Sequence, residues 1–122
     1  MRIVSVAAVL GAAAVVTGAL GLHALRAALG GRFEIWETAV RYQLVHALAL
    51  AAVGLVAERR PSRWAAWSAG LLIAGIALFS GSLYALALGA PRAAGIVTPF
   101  GGLALIAGWL ALAVAAGQRT SR

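Results

Sequence analysis

The sequence has no cysteine and only three acidic residues, Glu34, Glu37 and Glu58, among its 122 residues. Without cysteine, the chain forms no disulfide and no thiolate metal site, and it has no thiol nucleophile. The three glutamates lie outside the apolar runs or at their ends, so no carboxylate is deep enough to complete a serine–histidine–carboxylate site. These shortages predict a protein that is not an enzyme, with no catalytic residue, no bound metal and no cofactor.

Charge of either sign is scarce, since charged residues make up 11% of the chain and hydrophobic residues 63%. A soluble globular domain is about 45–50% apolar and covers its surface with polar side chains. The mean hydropathy of +0.97 therefore indicates a membrane protein. The length allows one domain.

The charges that are present are mostly positive, with ten arginines and a net charge of +7. In a soluble protein this balance would suggest binding to nucleic acid. Nine of the ten arginines, however, lie between or beyond the apolar runs, where basic residues flank membrane spans. Because no continuous basic face exists to follow a phosphate backbone, the sequence predicts no nucleic acid partner.

Four apolar runs are long enough to cross a bilayer, which takes about 20 residues in a helix. The first run is too long for the apolar region of a signal peptide, and no run has the alternating pattern of a membrane β-strand. The sequence predicts an all-α, single-domain integral membrane four-helix bundle in contact with the lipid bilayer. The predicted helices cover residues 3–25, 37–57, 64–88 and 96–116.

The connections are short. Residues 26–35 contain two consecutive glycines and are predicted to be a loop, followed by Trp36 at the membrane interface. Residues 58–63 are predicted to form a tight polar turn. Thr98 and Pro99 are typical of a helix N-cap and first helical residue, which predicts that the chain just before Thr98 is extended.

The distribution of arginine predicts the orientation of the four spans. The side that holds both termini and the second connection has six arginines, and the opposite side has three. The six are Arg2, Arg59, Arg60, Arg63, Arg119 and Arg122, and the three are Arg26, Arg32 and Arg92. We therefore expect a multi-pass protein of the bacterial inner (plasma) membrane with both termini in the cytoplasm.

Polar residues within the spans gather in the outer half of the bilayer when their depth is counted at about 1.5 Å per residue. Ionisable groups inside a membrane are costly and usually face the interior of a bundle, which makes them candidates for a functional site. The candidate polar cluster is His23, Arg41, Tyr42, Gln43, His46, Ser80, Ser82, Tyr84 and Thr98.

The same residues have structural interpretations. His46 and the two serines can join helices by hydrogen bonds, which is the commoner role of polar residues in spans. Arg41 can pair with Glu37 one turn away or extend to the interface. A bis-histidine haem is not predicted, because His23 and His46 differ in depth by about 10 Å.

Small residues at intervals of four allow transmembrane helices to approach closely. The third span has such a stripe, continuing to Gly89, and the first and fourth spans have shorter sets. The predicted helix-packing residues are Gly18, Gly21, Ala77, Gly81, Ala85, Gly101, Gly102 and Gly108. Part of this surface is also available for self-association.

One segment in each span resembles a motif of a known family. The segments are residues 18–25 (GALGLHAL), 38–49 (TAVRYQLVHALA), 78–88 (LFSGSLYALAL), and 96–102 (IVTPFGG) with Gly108 and Trp109. Together they resemble the YgdD-like family of small four-span bacterial inner-membrane proteins, a domain of unknown function related to a eukaryotic small transmembrane protein family. The resemblance implies a four-span membrane protein and supplies no reaction and no catalytic residue.

Three hypotheses for function follow. The first is a structural or accessory component that assembles with itself, as a homo-oligomer, or with a larger membrane protein complex. The alternative is binding or transport of a small molecule, ion or lipid through the outward-facing polar cluster. A membrane enzyme acting on a lipid-soluble substrate is the third hypothesis.

Overall fold

Helices account for almost all of the computed structural model, which describes residues 2–119 and has no strand in that range. The all-α fold class predicted from the sequence is confirmed. The α-helices are α1 (Arg2–Leu20), α2 (Arg26–Leu29), α3 (Phe33–Arg59), α4 (Arg63–Ala87) and α5 (Val97–Gly117). A π-helix covers Gly21–Leu25, and 3-10 helices cover Gly30–Arg32 and Arg92–Ile96.

The stretch Arg2–Arg59 consists of consecutive helical segments over 58 residues, but it is not one span. A straight helix of that length would extend about 87 Å, nearly three times the hydrocarbon thickness. Instead Gln43 donates a hydrogen bond to the main-chain oxygen of Leu10, and Trp36 donates one to that of Thr17. These pairings make α1 and α3 antiparallel neighbours. Together with α4 and α5, residues 2–119 therefore contain four helices long enough to cross a membrane.

The prediction of a loop at residues 26–35 is wrong, because this segment turns while remaining helical. The reversal occurs at Gly30, whose φ of +56° is a left-handed value that glycine adopts without strain. Leu29, Phe33 and Trp36 cluster there with Ala87 of α4, and this burial extends α3 by a turn at its start. Trp36 is 6% exposed, so its ring packs inside the bundle, and its place at the depth of the membrane interface stays a prediction.

The start of α5 also differs from the prediction. A 3-10 helix at Arg92–Ile96 leads into it, and Ile96 has helical φ and ψ rather than extended ones. Thr98 is not the N-cap, since its hydroxyl lies 2.6 Å from the Ser82 hydroxyl of α4. The side chain that does cap a span is Ser62, whose Oγ accepts a hydrogen bond from the Ala65 main-chain nitrogen at 3.1 Å at the start of α4.

The core lies where α3 and α4 meet. Leu50, Val53 and Leu72 are completely buried there, whereas Val9 and Leu48 expose 68% of their surface. Large apolar side chains on the outside are unfavourable in water but match a hydrocarbon solvent. The bundle is therefore shaped to contact lipid.

Glycines bring α4 and α5 into close contact. A Cβ at Gly75 would lie 2.5 Å from a methyl carbon of Leu105, and one at Gly108 would lie 2.7 Å from a methyl carbon of Leu72. Gly101 faces the main chain of Phe79 just as closely. The antiparallel packing of this pair therefore depends on glycine having no side chain at these positions.

The predicted packing residues divide into two groups. Gly18 and Gly21 face Val40 and Trp36 of α3, and Gly101, Gly102 and Gly108 face α4. Ala77 and Gly81 instead lie on the exposed side of α4, with Ala85 partly buried beside them. Apart from Gly81, its two chain neighbours and the nearby backbone of α4, no heavy atom of the described chain lies within 4 Å of a Cβ built at Gly81.

Candidate functional site

A hydrogen-bond network joins three helices near the end where α1 turns into α3. The Tyr84 hydroxyl of α4 donates to Oε1 of Gln43 at 2.7 Å, and Nε2 of Gln43 donates to the Leu10 main-chain oxygen at 2.9 Å. The Thr17 hydroxyl of α1 lies 2.9 Å from the Tyr84 oxygen and 3.1 Å from the Ala14 main-chain oxygen. The oxygen and the nitrogen of the Gln43 amide thus both have hydrogen-bond partners inside the bundle.

Trp36 closes this network from the α1–α3 turn. Its Nε1 donates to the Thr17 main-chain oxygen at 2.8 Å, and its ring meets the Tyr84 ring edge-on with centroids 4.7 Å apart. The indole lies over Gly21, where a Cβ would be 2.6 Å from the ring. The π-helix begins at this glycine.

Serines of α4 form further hydrogen bonds between helices. Ser80 donates to the Ala39 main-chain oxygen of α3 at 2.7 Å. Ser82 donates to the Phe79 main-chain oxygen at 3.0 Å and also contacts Thr98. Ser68, towards the other end of α4, donates to the Gly108 oxygen of α5 at 2.8 Å. These side chains lie where main-chain carbonyls of a neighbouring helix or of α4 itself accept their protons.

His46 lies in a separate aromatic group. Its ring stacks on Tyr42 at 5.7 Å and meets Trp109 edge-on at 5.9 Å, while Tyr42 packs against Phe79 at 4.4 Å. Nδ1 of His46 is 2.6 Å from the Tyr42 main-chain oxygen, one turn earlier in α3, and donates to it in the Nδ1–H tautomer. The histidine is 6% exposed.

The nine predicted polar residues therefore do not line one pocket. Gln43 and Tyr84 share the first network, Ser82 and Thr98 form a pair, Ser80 bonds to α3, and Tyr42 stacks on His46. His23 and Arg41 are exposed at other places on the surface. Among the described residues, every buried side-chain nitrogen or oxygen has a hydrogen-bond partner.

Thr17 and Trp36 are the two network members that the sequence analysis missed. The sequence did contain a signal for Trp36, since a buried indole N–H needs an acceptor. Thr17 has the one side-chain hydroxyl in the middle of an otherwise apolar span. The sequence does not show which face of α1 packs against α4, so it does not show that this hydroxyl meets Tyr84.

The remaining feature is the outer face of α4, which we define as Ala66, Gly70, Ala74, Ala77 and Gly81. All five residues are exposed, and their spacing of three and four places them along one side of the helix. The half nearer Arg63 is a groove of about 450 Å³, bordered by Trp67 and Leu71. Cβ atoms added at Gly70 or Gly81 would meet open space.

A bundle of four apolar helices with paired polar groups inside and large apolar side chains outside is an integral membrane protein. The chain matches a family model described as a protein of unknown function (DUF423) over residues 17–102. This match contains the whole Thr17–Trp36–Gln43–Tyr84 network.

Relatives give the same result. The chain is 45% identical over 101 residues to a UPF0382 membrane protein of Staphylococcus haemolyticus, covering 80% of each. It is 41% identical over 111 residues to the UPF0382 inner membrane protein YgdD of Escherichia coli, covering 90% of this chain and 85% of YgdD. No solved structure matches. The chain belongs to the DUF423 family, as its resemblance to the YgdD-like proteins implied.

Proposed function

We propose that this protein is a non-enzymatic membrane component that assembles with further copies of itself through the outer face of α4. The observation that carries the proposal is the exposed row of small residues from Ala66 to Gly81. Lipid chains are as apolar as leucine, so helices associate in a bilayer by close packing. A row of small residues is the surface on which a second helix approaches most closely.

The shape of this face favours a second copy as the occupant. Trp67 is 63% exposed and projects beside the hollow at Gly70. A surface with a ridge and a hollow side by side is complementary to itself when two copies are related by a two-fold axis. The ridge of one copy then enters the hollow of the other, and the same contact forms twice.

The internal hydrogen bonds support a structural role over transport. Gln43 and Tyr84, which would be central to a polar pathway, bond to each other and to α1. A passing solute would have to break these bonds in a low-dielectric interior, where unpaired polar groups are costly. The polar cluster thus supports the assembly hypothesis over its alternative.

Leucine at Gly70 or Gly81 is expected to weaken self-association strongly while leaving the monomer folded. Each new side chain extends into space that is open within one chain but required by a second. The change removes a close helix contact, so we expect the dimer population at fixed protein-to-lipid ratio to fall about tenfold or more. The measurement is single-molecule counting or mild crosslinking of the protein in native lipid.

Matched controls for this experiment are Ala52→Leu and Ala113→Leu, which add the same bulk to lipid-exposed positions of α3 and α5. Both should dimerise like the unaltered chain. The proposal fails when the unaltered protein is monomeric in native membranes, or when the control variants lose the dimer as readily as Gly70→Leu.

We further propose that both termini face the cytoplasm of the inner membrane, on the basis of six arginines against three. Replacing Arg59 and Arg63 by asparagine reduces the bias to four against three, and we expect a mixed population of orientations. A C-terminal fluorescent-protein fusion paired with an alkaline phosphatase fusion measures this. Replacing Arg26 and Arg32 instead should keep one orientation, and the opposite pattern would contradict the proposed topology.

A further inference from the structure

A second groove, of about 300 Å³, lies between α1 and α3 near the end where they are joined. Its lining is largely apolar but includes two charged side chains, Glu37 and Arg41, one turn apart on α3. The apolar lining includes Gly18, Leu22, Val40 and Leu44. The groove therefore combines a hydrocarbon surface with one charge of each sign.

The depth of the two charges follows from the length of α3. If Arg59 marks one polar boundary, then Arg41 lies about 27 Å along the helix and Glu37 about 33 Å. Since the hydrocarbon core is about 30 Å thick, Arg41 starts just inside the opposite boundary and Glu37 lies just outside it. Side chains tilt towards the helix N-terminus, which directs the Arg41 guanidinium outward to the headgroup layer.

Both charged groups are available to a ligand. Glu37 and Arg41 are exposed, and within residues 2–119 neither side chain forms a hydrogen bond or an ion pair. The pair that the spacing of four suggested is therefore not formed. A guanidinium at the edge of the hydrocarbon is stabilised by a nearby anion, and the anion that every bilayer supplies at this depth is a lipid phosphate.

We propose that this groove binds a phospholipid with an ethanolamine headgroup. Arg41 holds the phosphate through paired N–H donors, and the ammonium, one ethylene bridge further out, reaches the Glu37 carboxylate. An acyl chain lies along Gly18, Val40 and Leu44. The order of the two charges along α3 matches the order of the two charges in this headgroup.

The same geometry discriminates against other headgroups. The quaternary ammonium of phosphatidylcholine has no N–H to donate to Glu37, whereas a primary ammonium has three. Phosphatidylglycerol has no positive charge and leaves Glu37 beside an anionic lipid. Ethanolamine lipid should therefore be retained in preference to both.

Native mass spectrometry of the purified protein, with the three lipids added at equal concentration and with identical acyl chains, tests this order. We expect Arg41→Gln to reduce retention of the ethanolamine lipid about fivefold. This is the change in lipid affinity that one basic residue contributes at a membrane surface. Glu37→Gln should act differently, lowering retention of ethanolamine lipid while raising that of phosphatidylglycerol. A merely looser bundle would lower both.

Glu34→Gln and Arg92→Gln are the matched controls, since both residues are exposed at the same end of the bundle but do not line the groove. Both should retain the lipids as the unaltered protein does. The proposal is overturned when the unaltered protein retains no lipid or prefers phosphatidylglycerol, when Glu37→Gln leaves the lipid preference unchanged, or when the control variants change it equally.

Discussion

Replacing Gly101 by alanine is expected to destabilise the bundle by about 1–3 kcal/mol, the usual cost of adding a methyl group to a well-packed core. The new Cβ would meet the main-chain nitrogen of Phe79 and lie 2.8 Å from its Cα and 2.9 Å from the carbonyl carbon of Leu78. Main-chain atoms inside a helix cannot rotate aside as a side chain can. The helices α4 and α5 must therefore move apart to accommodate the methyl group.

The neighbouring glycine provides the control for this prediction. A Cβ at Gly102 would lie 3.8 Å from the Phe79 ring, which is an ordinary van der Waals distance. Gly102→Ala should therefore be neutral, or stabilising by up to about 1 kcal/mol because alanine favours a helix. Unfolding in mixed micelles with increasing sodium dodecyl sulfate, followed by circular dichroism, measures both variants. Equal midpoints for the two would contradict the α4–α5 contact described above.

Removing the hydroxyl of Tyr84 is expected to cost about 1–2 kcal/mol, near the upper end of measured hydrogen bonds within membranes. Phenylalanine keeps the ring contact with Trp36 but leaves Oε1 of Gln43 without its donor inside the bundle. Thr17 loses its contact to α4 at the same time. The same unfolding measurement detects the loss.

The chain contains a second tyrosine that serves as the control for Tyr84→Phe. Tyr42 is 40% exposed, and its hydroxyl makes no hydrogen bond within the described residues, so Tyr42→Phe should change stability little. The double variant Gln43→Leu with Tyr84→Phe should lose less than the sum of the two single changes, since no buried acceptor is then left unpaired. Strictly additive losses would mean that the two side chains are not coupled.

The glycine predictions also separate folding from assembly. Gly101 contacts the main chain of α4, whereas no other helix of the described chain lies within 4 Å of a Cβ at Gly81. Leucine at Gly81 should therefore remove the dimer without lowering the stability of the monomer. A variant that lost both properties would place Gly81 inside the bundle and contradict its exposure.

The spans were predictable because length and continuous apolar composition are properties of each run taken alone. Residues 64–88 and 96–116 compare with helices at Arg63–Ala87 and Val97–Gly117. The segment between the first two spans was not predictable in this way. Its glycines suggested a loop, but burial of Leu29, Phe33 and Trp36 against α4 stabilises helical turns that composition alone disfavours.

The polar cluster was predictable only as a set of residue types. The sequence identified Gln43 and Tyr84 as polar groups in the outer half of the membrane, but it did not reveal that they bond to each other or that Thr17 joins them. A shift of one residue turns a helical side chain by about 100°. Whether a hydroxyl faces a neighbouring helix or the lipid therefore depends on how each helix is rotated in the bundle.

The amino-acid sequence by itself determined that this protein lies in a lipid bilayer and how many spans it has. A long apolar helix is stable in hydrocarbon whatever helices lie beside it, so each span can be recognised alone. Only the tertiary structure decided which glycines join helices and which remain exposed, as the contrast between Gly101 and Gly81 shows. Small residues are equally compatible with lipid and with a neighbouring helix, so the sequence does not show which face of a helix is packed. The close approach of α4 and α5 decides which glycines are covered, and it leaves the outer face of α4 exposed.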